Sequence, residues 1–223
     1  MASLLSLRDC AVALSLPLVL LGAMAQQPTE FKPQEQEPKK ANARSEPTPV
    51  PEPFDGASVE KMTAHCVRLE TEAGIIEIEM LAEMAPEAVR NFLNLASIGA
   101  FDTTTFSRVV RGFVVQAGNL SARESLTPEL YRRSQRTVPD EPSIIKHVRG
   151  IVSLARPDEP DSASSHFFIL VGDGPHLDGK FSAFGRVRSG IEVADEINQA
   201  PLEGEKPEKP VRITRALVKP CVQ

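Results

Sequence analysis

Residues 106–118, FSRVVRGFVVQAG, are the stretch from which the fold is inferred. The stretch opens with an aromatic and β-branched run that carries one charge, and its alternation places Phe106, Arg108 and Val110 on one side of a strand. Gly112 then permits a bend into a second apolar run. A guanidinium among apolar side chains is costly unless it is paired or borders a cleft. Arg108 is therefore either an arginine that reaches solvent from a sheet edge or a functional side chain at a cleft.

A second block, residues 162–187 (SASSHFFILVGDGPHLDGKFSAFGRV), favours the functional interpretation. Together the two blocks resemble the cyclophilin family of peptidyl-prolyl cis-trans isomerases, over about residues 63–218. The segment before Ser165, ARPDEPDSAS, looks more like the bacterial branch of that family. The first signature, Phe-x-Arg-Val, Gly-Phe and Gln-x-Gly, is matched by Phe106, Arg108, Val109, Gly112, Phe113, Gln116 and Gly118. The second, Ser-x-Phe-Phe-Ile, Leu-Asp-Gly-Lys and Phe-Gly-x-Val, is matched by Ser165, Phe167, Phe168, Ile169, Leu177, Asp178, Gly179, Lys180, Phe184, Gly185 and Val187.

The resemblance implies a mainly β fold, namely a closed antiparallel eight-stranded barrel capped by two α-helices. The local patterns agree with short strands and few helices. Alternating apolar and charged residues on either side of Gly74 predict a hairpin with one solvated face. Pro86 suits a first helical position, and apolar residues at helical spacing follow it. A second amphipathic helix is predicted after Gly190.

Composition divides the chain into three parts. Residues 1–25 have an apolar stretch followed by Ala-Met-Ala, the pattern of a signal peptide cleaved after Ala25; a retained anchor is the alternative. Residues 26–58 are rich in Pro, Gln and Glu and too poor in apolar residues to build a core, which predicts a disordered tether. Residues 59–223 form the predicted isomerase domain. We therefore expect an exported protein, periplasmic or secreted, without stable membrane insertion after cleavage.

Charge and histidine spacing exclude several function classes. The formal net charge is −5, and the one basic cluster, Arg132, Arg133 and Arg136, is interpreted as a solvated loop and not as a nucleic-acid surface. The four histidines show no metal-ligand spacing. The sequence therefore predicts no metal, no cofactor and no nucleic-acid partner, and nothing in it suggests more than a monomer.

The chain has three cysteines, and Cys10 would leave with the signal peptide. An even count in an exported protein suggests a disulfide between Cys66 and Cys221. The resemblance supports this pairing, since it makes the first and last strands antiparallel neighbours. Two unpaired thiols are the alternative.

The resemblance also assigns roles to individual residues. It implies that Arg108, Gln116 and Phe113 are catalytic, with Arg108 donating to the prolyl nitrogen and Gln116 binding the substrate backbone. Four positions depart from the family pattern: Ser107 replaces the common His, Val114 the common Met, His166 the usual Gln, and His176 the usual Trp or Phe. The implied substrate-binding residues are Val114, Ala155, Arg156, His166, Phe168, His176 and Leu177.

These features leave three functional hypotheses. The first is an isomerase that assists the folding of exported proteins by acting on proline-containing or unfolded segments. The second is a binding module or chaperone for such segments with weak turnover, because His166 and His176 alter the pocket. In the third, residues 26–58 dock a partner and the barrel is a passenger.

Overall fold

The structure is a computed structural model, and it describes residues 50–221. The predicted signal peptide and residues 26–49 of the predicted tether lie outside the described residues. Within residues 50–221, no helix combines the length and the apolar character needed to cross a membrane.

One antiparallel sheet of eight strands makes up most of the fold. Its order is β10-β1-β2-β7-β5-β6-β4-β3, and a separate two-stranded hairpin, β8–β9, precedes β10 in the chain. The strands are β1 (His65–Thr71), β2 (Gly74–Met80), β3 (Arg108–Val110), β4 (Val114–Ala117), β5 (Ile151–Leu154), β6 (Phe167–Leu170), β7 (Ala183–Ser189), β8 (Leu202–Glu203), β9 (Lys206–Pro207) and β10 (Ile213–Pro220).

The first hairpin shows why the alternating sequence folds as it does. Val67 pairs with Ile78 and Leu69 pairs with Ile76, and all four side chains are fully buried. The intervening charged residues lie on the other face and remain partly solvated. The hairpin predicted from period-two alternation is present, because only this register buries the apolar face.

The sheet is curled but open, so the predicted closed barrel is wrong. β10 and β3 are the two edges, and the segments that precede them share one isolated bridge, Thr105 to Arg212. The outer edge of β3 is instead met by the turn of the β8–β9 hairpin, where the amide N of Val109 donates to the carbonyl O of Glu205 at 2.8 Å. No continuous ladder joins β3 to β10, and the sheet is a half-barrel.

Both predicted amphipathic helices are present. They are α2 (Pro86–Ser97) and α4 (Ile191–Gln199), and two shorter helices, α1 (Val59–Thr63) and α3 (Pro128–Ser134), accompany them. Phe92 on the buried stripe of α2 packs its ring 4.7–5.1 Å from those of Phe101, Phe167 and Phe184. This aromatic cluster fixes α2 against the sheet.

The segment ahead of α1 is part of the packed domain. Phe54 is 6% exposed within the main hydrophobic core. Its amide N donates to the side-chain oxygen of Asn94 at 2.7 Å, and Arg90 donates to the carbonyl oxygens of Phe54 (2.8 Å) and Ala57 (2.9 Å). We call residues 51–57 the N-terminal clasp, because two side chains of α2 hold its backbone.

The predicted solvated basic loop is a helix with a buried arginine. Arg133 on α3 is 7% exposed and donates to Glu52 at 2.5 Å and to Asn91 at 2.8 Å. Arg132 and Arg136 remain exposed. The interpretation failed because the partner that makes burial of Arg133 tolerable, Glu52, comes from a segment predicted to be disordered.

A disulfide joins the two ends of the domain. Cys66 on β1 is bonded to Cys221, which follows β10 directly, with the two Cα atoms 5.0 Å apart. The amide N of Cys221 also donates to the carbonyl O of Ala64 at 2.9 Å.

Candidate active site

A cavity of about 230 Å³ opens where β3, β4, β5 and β6 lie side by side. It brings together all the predicted site residues except His166 and His176, and it adds Phe181, which sequence reasoning missed. The lining residues are Arg108, Phe113, Val114, Gln116, Ala155, Arg156, Phe168, Leu177 and Phe181.

Strand register places the polar and apolar parts of the cavity next to each other. Arg108 on β3 pairs with Gln116 on β4, and Gln116 pairs in turn with Phe168 on β6. Directly opposed residues of antiparallel strands project to the same face. The three side chains therefore form one row, which we call the Arg-Gln-Phe row.

Contact between the two sequence signatures explains a glycine in the first. Gly118 has a φ of +89°, and a Cβ there would come within 2.1 Å of the carbonyl O of Ser165. The Ser165 hydroxyl donates to the Gly118 carbonyl O at 2.8 Å. A side chain at this position would separate β4 from β6 and break the Arg-Gln-Phe row.

Arg108 is held by two acceptors. Its Nη1 donates to Oε1 of Gln116 at 3.2 Å, and its Nε donates to Oε2 of Glu205 at 2.6 Å. The Arg108 side chain is 45% exposed. Within the described part of the chain these bonds use two of its five N–H donors, so donors remain for a ligand in the cavity.

The other side of the cavity is apolar. Phe168 and Leu177 are 6% and 8% exposed and belong to a hydrophobic cluster with Val114, against which Phe113 and Phe181 pack. The Phe181 ring lies 6.0 Å from that of Phe168 in an edge-on arrangement. This wall offers contact area and no polar group, which suits a small apolar ring.

Arg156 closes one end of the apolar wall. Its guanidinium carbon lies 5.3 Å above the centre of the Phe181 ring, a cation–π arrangement. An ion pair with Asp140 holds the same guanidinium. The only sequence signal for Phe181 as a cavity residue is weak: it is the apolar residue that directly follows Leu-Asp-Gly-Lys.

The two histidines lie beside the cavity and do not line it. His176 is exposed, and its ring lies 5.2 Å from that of Phe113. His166 is half-buried just ahead of β6, and its carbonyl O accepts from the amide N of Ala155 at 2.9 Å. Burial lowers the pKa of His166 below its ordinary value, so its ring is neutral at pH 7.

A buried polar group supports the wall from behind. His147 is 1% exposed, with Nδ1 at 3.2 Å from Asp178 and Nε2 at 3.0 Å from the hydroxyl of Ser153. Burial lowers the pKa of His147, and the carboxylate of Asp178 only partly opposes this. Ser153 is fully buried, so this Ser-His-Asp arrangement cannot attack a substrate. It fixes Leu177, next to Asp178, and β5, where Ser153 pairs with Phe168.

Among residues 50–221, no group of three or more His, Cys, Asp or Glu residues is arranged to hold a metal ion. The cavity offers a guanidinium held in place by two acceptors, a side-chain amide and an apolar wall. These groups can bind and polarise a ligand but do not form a covalent intermediate.

Comparisons with known proteins agree on one family. The family model described as "Cyclophilin type peptidyl-prolyl cis-trans isomerase/CLD" matches residues 66–218. Peptidyl-prolyl cis-trans isomerase A of Dickeya dadantii is 35% identical over 169 residues, which cover 70% of this chain and 85% of that protein. Peptidyl-prolyl cis-trans isomerase CYP23 of Arabidopsis thaliana is 34% identical over 141 residues, 62% of either chain.

A solved structure shares the fold. The cyclophilin type peptidyl-prolyl cis-trans isomerase of Cryptosporidium parvum, crystallised in the presence of the dipeptide Ala-Pro, is 28% identical with a TM-score of 0.61. The match covers 69% of this chain and 98% of that one.

Proposed function

This chain belongs to the cyclophilin-type peptidyl-prolyl cis-trans isomerase family, and from that premise we propose that it accelerates rotation about X-Pro bonds in exported proteins, with Arg108 as the catalytic donor. Uncatalysed, this rotation takes tens to hundreds of seconds, because it breaks amide resonance across a barrier of ~18–20 kcal/mol. An enzyme that binds the twisted amide more tightly than either planar isomer accelerates it.

Arg108 supplies that preference. In the twisted amide the prolyl nitrogen regains a lone pair, which a planar amide does not offer to a donor. A guanidinium N–H aimed at this nitrogen therefore strengthens its hydrogen bond only in the transition state. Arginine suits the role because it stays protonated at any working pH.

The other residues of the cavity hold the substrate while the carbonyl group that precedes the proline rotates about the X-Pro bond. Phe113, Val114, Phe168 and Leu177 grip the proline ring without offering competing hydrogen bonds. The side-chain oxygen of Gln116 is engaged by Arg108, so its amide N–H groups face the substrate backbone. Ala155 and Arg156 flank the adjoining groove.

The observation that carries this proposal is the Arg-Gln-Phe row. A permanently charged donor, an amide and an apolar ring stand on neighbouring strands in one cavity. No nucleophile or metal is needed, because the reaction breaks no σ bond.

The test is the turnover of a short Ala-Pro peptide, measured by NMR exchange spectroscopy. Arg108→Ala should lower kcat/KM on the order of 10²- to 10³-fold, comparable to removing one oxyanion donor, and leave the fold intact. Arg188→Ala, at an exposed position on β7, is the matched control and should keep the parent's rate. Activity of Arg108→Ala within threefold of the parent would refute the assignment.

The same assay decides the competing hypothesis of a binding module or chaperone. A parent protein that binds the peptide without measurable turnover would support that hypothesis, and the position of His176 against Phe113 gives it a physical basis. Measurable turnover by the parent that falls on the order of 10²- to 10³-fold in Arg108→Ala supports the isomerase.

Export is the second half of the proposal. A disulfide between Cys66 and Cys221 suits an oxidising compartment outside the cytosol, and the predicted signal peptide would deliver the chain there. Mass determination of the protein from the cell envelope or medium should give a chain that begins at Gln26. An intact N-terminus on a cytosolic protein with free thiols would contradict export. We infer a monomer, which light scattering can test.

A further inference from the structure

Glu205 contacts the guanidinium that the reaction depends on, and no part of either family signature includes it. Its Oε2 accepts from Nε of Arg108 at 2.6 Å, across 97 residues of sequence. The two side chains are 55% and 45% exposed. Ion pairs at such exposure contribute little to stability, so this short contact calls for another explanation.

Backbone contacts hold Glu205 in place. It lies in the turn between β8 and β9, and its carbonyl O accepts from the amide N of Val109, the residue next to Arg108. The carboxylate and the guanidinium it binds are therefore fixed to the same strand edge. Their separation does not depend on the conformation of a long loop.

The base of the same hairpin is anchored to the β3–β4 turn. Arg111 donates to the carbonyl oxygens of Asn198 and Ala200, at the point where α4 leads into β8. Asn198 is 1% exposed, accepts from the amide N of Gly112 at 2.8 Å and donates to the carbonyl O of Val110 at 2.9 Å. The hairpin and the strand that carries Arg108 thus form one interlocked unit.

Two acceptors at different nitrogens define the plane of the guanidinium. Gln116 accepts a hydrogen bond from Nη1 of Arg108 and Glu205 accepts one from Nε, while within residues 50–221 Nη2 of Arg108 has no hydrogen-bond partner. A half-exposed arginine without the second acceptor would sample several rotamers, most of which point the donor away from the cavity. We propose that Glu205 is a positioning residue that locks Arg108 in the rotamer in which a free N–H faces the prolyl nitrogen.

This inference rests on the proposed role of Arg108, and a set of variants separates the two. Glu205→Ala should lower kcat/KM on the Ala-Pro peptide by about tenfold through misorientation of the donor. The melting temperature should stay within about 2 °C of the parent's. Glu205→Gln keeps a side-chain acceptor and should recover at least half of the parent's rate.

Glu203→Ala is the matched control, because it removes the same charge from the same hairpin at an exposed position. It should leave the rate unchanged, whereas a loss as large as that of Glu205→Ala would assign the effect to hairpin charge and overturn the proposal. In an Arg108→Ala background, Glu205→Ala should cause no further loss, because a residue that acts through Arg108 has nothing left to position.

A spectroscopic readout is independent of turnover. The Nε–H resonance of Arg108, identified by its absence in Arg108→Ala, should exchange slowly with water in the parent and quickly in Glu205→Ala. Unchanged exchange, or a rate in Glu205→Ala within twofold of the parent, overturns the inference and leaves the role of Arg108 standing. If Arg108→Ala keeps the parent's kcat/KM, the catalytic role of Arg108 and the positioning role of Glu205 are both refuted.

Discussion

Loss of the Cys66–Cys221 disulfide should destabilise the domain without slowing its chemistry. The bond links residues 155 positions apart and joins β1 to the end of β10. Neither cysteine lines the cavity. The perturbation is reduction of the mature protein, or the double replacement Cys66→Ala with Cys221→Ala.

The expected magnitude follows from the size of the closed loop. For a separation of 155 residues, the chain-entropy relation gives about 5 kcal/mol at 25 °C. A compact unfolded state already restricts the chain ends, so this value is a maximum. A domain of this size loses roughly 2–4 °C in Tm for each kcal/mol, which corresponds to a fall of up to about 10–20 °C.

The measurement is thermal unfolding by circular dichroism, with and without a phosphine reductant, for the parent and the double variant. Reductant should lower the Tm of the parent and leave that of the variant unchanged, and kcat/KM at 25 °C should be the same for both. Two free thiols in the denatured, unreduced parent would reject the bond. A Tm that moves by less than about 2 °C would refute the entropy argument.

Two further predictions concern single side chains. Burial lowers the pKa of His166 from its ordinary 6.5 and keeps its ring neutral at pH 7, so its protonation in acid adds a cation beside the groove. We therefore expect kcat/KM to fall as the pH drops below about 6, and His166→Gln to flatten this pH profile. Identical profiles between about pH 5 and 8 would make His166 a bystander. Asn198→Ala leaves the Gly112 amide and the Val110 carbonyl without their partner, which should lower the free energy of unfolding in urea by about 2–4 kcal/mol. A decrease of less than about 1 kcal/mol would contradict the proposed anchoring of the hairpin to the β3–β4 turn.

The sequence pattern predicted those elements whose conformation depends on residues close together in the chain. The alternation of Val67 and Leu69 with charged neighbours specifies a hairpin with one buried face, and Pro86 marks the start of α2. The two signature blocks predicted most of the cavity, because strand register converts their spacing into neighbours, as in the pairing of Arg108 with Gln116.

Contacts between residues far apart in the sequence could not be predicted from the sequence pattern. Glu205 meets Arg108 because the turn of the β8–β9 hairpin lies against the outer edge of β3, a contact between segments 97 residues apart. The burial of Arg133 depends on Glu52, in a stretch whose composition indicates disorder. In each case the deciding partner lies more than eighty residues away.

The N-terminal clasp determines where mechanical load enters the domain. Tension on the chain ahead of residue 50 meets first the buried ring of Phe54, the hydrogen bond that its amide N donates to Asn94, and the one that its carbonyl O accepts from Arg90. It then reaches β1, which the disulfide at Cys66 ties to the far end of the chain. This path runs through α2 and the β1–β10 edge of the sheet. Strand β6 touches this path where the ring of Phe167 packs against Phe92 of α2, but the covalent connection from residue 50 to the disulfide at Cys66 includes none of the strands β3 to β6. Tension applied ahead of residue 50 is therefore carried to the disulfide without extending a strand that lines the cavity.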